Sequence, residues 1–400
     1  MKICLINTVD YGSTGKIMMQ LKLVSERHGF VAKTFSRCWF FKKSKKNNHT
    51  YFGLAIENLI HRVLAPLIGC ESLLSFWGTY SLCRQLLKNK IELIHLHNIH
   101  GYYFCFPLFF KFVKKHNIPV IWTLHDCWSF TGRCPHFVLL KCERWKKGCH
   151  DCPCPCKSYP AAYIDNSRKI WMLKKKFFTG VKNMTLVTPS KWLANLVKQS
   201  FLKDYPVRVI NNGIDLTIFK PTESNFRSRY GLWGKKVVLG VAFGWGVRKG
   251  LDVFIELSRR LPKDYRIVLV GTNDQVDVMI PANIISIHRT QNQTELAEIY
   301  TAVDVYANPT REDTYPTVNM EALACGTPVV TFRTGGSPEI LNETCGAIVP
   351  CDDIDAMEME IRRICDEKPY SKEACLAWAQ SFDMDKRFEE YMNLYKKVAE

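Results

Sequence analysis

Residues 308–330 read NPTREDTYPTVNMEALACGTPVV, in which the carboxylates Asp313 and Glu321 are separated by seven residues. A helix starting near Thr317 puts Glu321 about one turn inside it and leaves Asp313 in the preceding loop. Both then face a ligand lying across the helix N-terminus. The continuation ALACGTPVVTF reads as a helix end, a turn over 326–328 and a buried strand. Taken alone, Glu321 reads better as a cap or a solubilising residue of a surface helix; it is the surrounding pattern that favours a ligand.

Outward from this block, strand and helix patterns alternate in both halves of the 400-residue chain. The first half has candidate strands at 2–7, 93–97, 120–124 and 185–188, with helices at 16–27, 56–67, 81–88 and 106–116. The second half has strands at 236–241, 266–270, 284–287, 303–307 and 328–331, with helices such as 251–260 and 294–301. This is a doubly wound α/β pattern, in which ligands bind beyond the carboxyl ends of the strands. Length sets a prior of two domains of about 200 residues. We expect a first Rossmann-like domain over 1–205, a second over 206–380, and a terminal amphipathic helix within 381–400.

The hydrophobic content of 47% supports packed interiors, and neither low-complexity tracts nor solenoid repeats occur. The N-terminus MKICLINTVDYG reads as a first buried strand rather than a signal peptide, and the longest apolar stretch, 101–110, is too short to span a bilayer. The chain is therefore expected in the cytoplasm. Charge is uneven: residues 1–200 hold 31 Lys+Arg against 9 Asp+Glu, and residues 201–400 hold 24 against 29. Clusters at Lys42, Lys43, Lys45 and Lys46 and at Lys174, Lys175 and Lys176 neighbour apolar segments, including Trp39, Phe40 and Phe41. Such a surface attracts anionic lipid by about 1 kcal/mol per basic side chain; a merely solvated basic face is the alternative. No nucleic-acid-binding motif accompanies the charge.

Three further loops carry chemistry. In 242–254, AFGWGVRKGLDVF, Gly244, Gly246 and Gly250 allow close backbone approach, and Arg248 and Lys249 add cations ahead of a helix N-terminus, as a diphosphate requires. Gly12, Ser13, Thr14 and Gly15 form a compact anion-friendly turn between the first strand and a helix at Lys16; an ordinary strand-to-helix connection is the alternative. His125 ends a strand with Asp126 beside it, and His97 and Asn98 close another. Six of seventeen cysteines fall within 131–156, TGRCPHFVLLKCERWKKGCHDCPCPC. In a reducing compartment this favours thiols or metal over disulfides. Cys134, Cys142, Cys149 and Cys152 are candidates for a tetrahedral structural zinc site, with Cys154, Cys156, His136 and His150 as further candidates. Free cysteines and an iron–sulfur or redox role stay open.

The 308–330 block resembles the donor-site signature of the retaining glycosyltransferases of family four, which have the GT-B fold: two Rossmann-like domains facing a cleft. The resemblance covers nearly the whole chain. It implies that Glu321 binds the donor ribose, that Asp313 contacts the donor sugar, and that the backbone N–H groups of Thr317 and Val318 reach the sugar and diphosphate. The family usually has glutamate at the first acidic position; here Asp313 stands there with Glu312 alongside. Lys249 matches the diphosphate-binding lysine. The family's arginine from a preceding Gly-Arg pair is replaced by Ala242 and Phe243, so Arg248 is the substitute. Gly12 and Gly15 match the glycine loop bordering donor and acceptor, and His125 matches a histidine that contacts the donor sugar near its sixth carbon. Asn212, Gly213 and Asp215 resemble the turn after the interdomain linker, and the last helix is expected to cross back onto the first domain.

The resemblance implies transfer of a sugar, with retention, from a nucleotide diphosphate sugar, UDP-linked, to a glycan or polyprenyl-linked acceptor in surface polysaccharide synthesis. It implies no cofactor for catalysis, with structural zinc left as a candidate; peripheral contact with an anionic membrane is the expectation that the basic first half carries. Catalytic roles fall to His125, Asp313 and Lys249. The rival readings are a UDP-sugar epimerase of the same fold and a non-enzymatic basic lipid- or nucleic-acid-binding protein.

Overall fold

The computed structural model describes residues 1–38, 49–154 and 160–399. Lys42, Lys43, Lys45 and Lys46, the aromatics Trp39, Phe40 and Phe41, and Cys156 lie outside the described residues. The chain forms two compact units, residues 1–210 with 388–400, and residues 211–387.

The first unit runs β1 (Lys2–Ile6), α1 (Gly12–Arg27), β2 (Val31–Arg37), β3 (His49–Phe52), α2 (Ala55–Ile68), α3 (Phe76–Lys88), β4 (Leu93–Leu96), α4 (Phe106–His116), β5 (Val120–Thr123), α5 (Ser167–Phe178), β6 (Met184–Thr188), α6 (Lys191–Lys198) and β7 (Val207–Val209). Its parallel sheet has the order β3-β2-β1-β4-β5-β6-β7. β4 and β5 are buried at every residue, because helices cover both faces of the sheet. Phe106, Phe109, Phe110, Trp122, Trp128 and Phe178 form the aromatic heart of this core. Truncating one of these buried rings to alanine is expected to cost about 3–5 kcal/mol.

The second unit runs α7 (Phe226–Arg229), β8 (Lys236–Val241), α8 (Leu251–Arg260), β9 (Tyr265–Val270), α9 (Asp274–Asp277), β10 (Ile284–Ile287), α10 (Gln293–Ala302), β11 (Val305–Asn308), α11 (Thr317–Ala324), β12 (Val329–Phe332), β13 (Gly346–Val349), α12 (Ile354–Glu367) and α13 (Lys372–Ala379). Its parallel sheet has the order β10-β9-β8-β11-β12-β13, with one apolar cluster around Tyr300 and Met320 and another around Phe254 and Ile361. The terminal α14 (Met384–Ala399) belongs to the second unit through Arg387 and to the first from Phe388. Its Tyr395 hydroxyl lies 2.6 Å from His95 Nδ1 of β4.

The doubly wound pattern expected from periodicity is the pattern the chain adopts, with local departures. α1 starts at Gly12 rather than Lys16, so the expected glycine turn is the helix's first turn. Gly15 is needed there because a Cβ would lie 2.6 Å from the Asp10 carbonyl carbon. α3 starts at Phe76 rather than Ser81, because the Glu57 carboxylate accepts from the Trp77 and Gly78 N–H groups at 2.7 and 2.8 Å. β7 extends the first sheet beyond 205, and the unit closes after Ile210. Gly213 packs where a Cβ would meet Met384 Cα at 2.4 Å, which fixes the turn that opens the second unit.

Candidate active site

The order of the second sheet reverses between β8 and β11, the topological switch point where doubly wound sheets bind ligands. The loops leaving these two strands hold the candidate residues together. After β8, a single 3₁₀ turn at Val247–Lys249 ends at Gly250 in the left-handed region (φ 75°), and α8 follows. A Cβ on Gly250 would lie 2.4 Å from the Pro309 carbonyl oxygen, so only glycine lets the two loops meet. There Lys249 Nζ stands 2.7 Å from Asp313 Oδ2, and both side chains are largely buried.

Arg311 fixes this pairing. Its Nη1 and Nη2 each donate to the Asp252 carboxylate at 2.8 Å, Nε donates to Asp352 Oδ1 at 2.5 Å, and Nη1 also donates to the Val247 carbonyl. The Arg311 backbone N–H donates to Arg248 O at 2.9 Å. The hydrogen bonds that Arg311 donates to Asp252, with Asp352 behind them, hold the guanidinium even more firmly protonated than usual. Asp252 is held low: burial alone would raise it, and Arg311 outweighs that. Arg248 Nη1 reaches the Glu312 carbonyl at 3.4 Å, so this cation leans on the acidic loop. On the far side, Gly335 (φ 54°) cradles the Asp313 backbone; a Cβ there would lie 1.8 Å from Asp313 O.

α11 begins at Thr317, as its spacing predicts, with Pro316 at the N-cap position and no side-chain cap on the first-turn amides that include Thr317 and Val318. Glu321, one turn in and half-buried, accepts from the Tyr300 hydroxyl at 3.3 Å. Burial and then the Glu321 charge push Tyr300 well above its ordinary value. The buried Tyr306 is pushed up in the same way, by burial and then by the charges of both Glu321 and Asp313. The two acids therefore act on one neighbourhood, with Lys249 paired to the first of them.

The first sheet reverses between β1 and β4, and its loops meet at that point. The Asn98 N–H donates to Asn7 Oδ1 at 3.1 Å, and Thr8 Oγ1 donates to the Asn98 and His100 carbonyls. Just past β5, the partly accessible His125 lies edge to edge with His97, ring planes 13° apart, with Nε2 3.0 Å from His97 Nδ1. Burial pulls His125 down to about 4, so near neutral pH it offers hydrogen bonds without a charge. Asp126 binds His100 at 2.9 Å; burial would raise the acid, but the His100 charge and hydrogen bond hold it at about 2.

Cys134, Cys142, Cys149 and Cys152 all line one cavity with His150. Cys134 and Cys152 sulfurs are 4.0 Å apart, near the edge of about 3.8 Å that Zn–S bonds of about 2.3 Å produce in a tetrahedron. The other two sulfurs do not complete that figure: among the described residues, the only group of three or more metal-ligating side chains with mutual distances within 4.8 Å is Asp274, Asp277 and His288, all exposed. One expectation is corrected outright. Lys174 is no part of a basic surface; it is fully buried, donating to Trp128 O at 2.6 Å and Thr131 O at 3.1 Å above the Trp128 ring.

Sequence reading missed Arg311, Tyr300 and Gly335, although Arg311 lies inside the decisive block. Its carboxylate partners are 59 and 41 residues away, and nothing local marks it as a clamp. The buried polar knot of Glu71, His100 and Lys174 around Trp128 was missed for the same reason.

Two family models match in succession: Glycosyltransferase Family 4 over residues 45–218 and Glycosyl transferases group 1 over residues 235–367. WcaC of Escherichia coli (strain K12), which carries the name of a colanic acid biosynthesis glycosyl transferase, is 26% identical over 268 residues, 65% of this chain and 64% of that protein. The D-inositol 3-phosphate glycosyltransferase of Saccharomonospora viridis is 28% identical over 44% of this chain and 48% of its own length. The chain thus spans less than two thirds of the length of these relatives. Among solved structures, sucrose-phosphate synthase from Thermosynechococcus elongatus superposes with a TM-score of 0.74 at 17% identity, over 99% of this chain and 98% of that one. Anabaena Alr3699/HepE, solved with UDP-glucose, superposes with a TM-score of 0.68 at 13% identity, over 99% of this chain and all of that one.

Proposed function

We propose that this chain, which belongs to the family-four glycosyltransferases and has their GT-B fold, transfers a glycosyl group from a UDP-linked sugar to a glycan or lipid-linked acceptor in surface polysaccharide synthesis. The observation that carries the reading is the Lys249–Asp313 pair at the β8–β11 switch point, with Glu321 acting on the same neighbourhood. The UDP-glucose in the HepE structure and the colanic acid in the name of WcaC support the donor and acceptor classes.

In this reading Glu321 accepts the ribose hydroxyls, while Lys249, Arg248 and the uncapped amides of α11 receive the diphosphate. The bond from the anomeric carbon to the leaving phosphate oxygen breaks, and its electron pair stays on that oxygen. The acceptor hydroxyl forms the new bond on the same face and gives its proton to the departing oxygen, so configuration is retained. Fixed cations and amides stabilise the growing charge without reorganising. Asp313, held by Gly335 and Arg311, positions the sugar. Acceptor recognition is assigned to the first unit, where Gly12 and Gly15 follow β1 and His125 follows β5; the resemblance puts the glycine loop beside both donor and acceptor and gives His125 the donor sugar.

A panel of UDP- and GDP-sugars read by thermal shift tests the donor, since a ligand that binds only the folded state raises the melting temperature. NMR of the product then reads its anomeric configuration. A new sugar formed from donor alone would instead indicate an epimerase, and no saturable UDP binding would leave only a binding protein.

A further inference from the structure

Trp128, just past His125 in sequence, is held from two sides by charged groups from distant parts of the chain. On one side Glu71, in the connection between α2 and α3, accepts from Trp128 Nε1 with Oε2 and from the Gly101 N–H with Oε1, each at 2.9 Å. On the other side Lys174 of α5 donates to the carbonyls of Trp128 at 2.6 Å and Thr131 at 3.1 Å, and its Nζ lies 3.5 Å from the centre of the indole. Both charges are taken out of water: Glu71 is 6% exposed and Lys174 0%.

Each group is the one its place requires. The two oxygens of Glu71 serve two N–H donors, and an amide there would turn its own NH2 toward one of them. The ammonium of Lys174 carries donors only, and it meets two carbonyl oxygens and the face of a ring. Opposite charges buried in this way are no better for stability than well-packed apolar residues of the same volume. Apolar neighbours are at hand, since the Trp128 ring packs against Phe106 and Phe178. What the charges add is direction, because a satisfied polar network specifies one arrangement of the backbone segments it joins.

Those segments border the switch point of the first sheet. Asp126 accepts from the Trp128 N–H at 2.8 Å with one oxygen and meets His100 Nε2 at 2.9 Å with the other. The His100 carbonyl accepts from Thr8 Oγ1, and His125 itself meets His97. Glu71 thus ties Gly101, in the loop after β4, to Trp128, in the loop after β5, and Lys174 fixes the onward course of the second loop at Thr131. His125 stands at the head of that second loop.

We propose that Glu71 and Lys174 are positioning residues for glycosyl transfer. Without touching substrate they set the loop after β5 against the loop after β4, and so set where His125 meets the donor sugar. The inference rests on the proposed function, which gives His125 that contact.

The test compares Lys174→Met and Glu71→Gln with Lys175→Met, a control on the exposed side of the same helix. Three quantities are read: UDP affinity by calorimetry, hydrogen exchange across 125–134 by mass spectrometry, and steady-state transfer from the donor that the thermal-shift panel selects. Both buried variants are expected to bind UDP within about twofold of wild type and to exchange faster across 125–134, with β1 and β4 exchanging as in wild type. Their kcat is expected to fall by about 10–100-fold with the donor KM little changed, the size of effect that a displacement of about 1 Å produces. Lys175→Met is expected to match wild type throughout. Glu71→Gln keeps the size and shape of the side chain, so it carries the test if Lys174→Met does not fold. Wild-type kcat in a variant whose 125–134 segment has loosened overturns the proposal, because the network is then only structural. Unchanged exchange in both variants overturns it as well, and so does a loss of UDP affinity in step with kcat, which marks general damage. Wild-type protein that binds UDP but transfers from no sugar nucleotide, by contrast, defeats the proposed function on which the inference rests.

Discussion

Lys249 and Asp313, 64 residues apart in sequence, form an ion pair at 2.7 Å where the loops after β8 and β11 meet. In the proposed function the donor diphosphate competes with Asp313 for the ammonium. The two substitutions should therefore separate binding from turnover. Lys249→Met is expected to weaken UDP binding and to lower kcat/KM by about 10²–10³, equivalent to about 3–4 kcal/mol of lost charge stabilisation. Asp313→Asn is expected to keep or tighten UDP binding by calorimetry while transfer falls. Unchanged transfer in both variants would defeat the site.

Arg311 joins the 247–252 loop to the 308–313 loop through Asp252, Asp352 and the Val247 carbonyl. Because both carboxylates are half exposed, its removal is expected to cost about 1–3 kcal/mol in denaturant unfolding, below the value for a fully buried pair. Arg311→Lys should not restore the loss, since an ammonium cannot make the two-pronged contact with Asp252. A melting curve identical to wild type for Arg311→Met would show that the loops need no clamp.

Burial holds His95 at about 3, His125 at about 4 and His97 well below its ordinary range. In the unfolded chain these rings titrate near 6.5, so in acid the unfolded state binds more protons. Stability that is intact above about pH 6.5 is therefore lost as the pH falls toward 4. His100 runs the other way. Burial lowers it but Asp126 and Glu71 outweigh that, so its contribution is present in acid and lost as the pH rises through its elevated value. Burial also lowers His61 to about 4, and Asp277 raises the exposed His288, so four lowered rings against two raised ones make the expected net effect a melting temperature lower at pH 5 than at pH 7. His125→Asn should narrow that difference, and a flat wild-type profile between these values would contradict the assignment.

For the cysteine insert, the distance between Cys134 and Cys152 suits a zinc tetrahedron, and Cys142 and Cys149 line the same cavity. We propose that zinc draws the latter two sulfurs in. One zinc per chain is expected by elemental analysis, with loss of metal and a lower melting temperature in Cys142→Ser. Metal-free protein whose four thiols react fully with a thiol reagent would assign the insert to free cysteines.

Much of this architecture was legible because it rests on local signals. Runs such as 236–241 and 305–308 are apolar without alternation, which marks strands buried on both faces, and the glycines at 244–250 announce a loop that approaches a ligand or another backbone. The spacing of Asp313 and Glu321 placed one acid before a helix and the other one turn inside it, and α11 begins where that spacing requires. The start of α3 at Phe76 was not legible, because its cap is Glu57, 20 residues upstream of Trp77.

What the sequence determined by itself was the alternation of elements, the two sheets and the loops in which chemistry resides, since each follows from periodicity and from glycine's conformational range within a few residues. Only the tertiary structure decided that Lys249 pairs with Asp313, that Arg311 clamps their loops and that Lys174 is buried. Those facts depend on which distant groups share a few ångströms of space. A charge or a methyl group carries no label of its partner until the sheet order brings the two together.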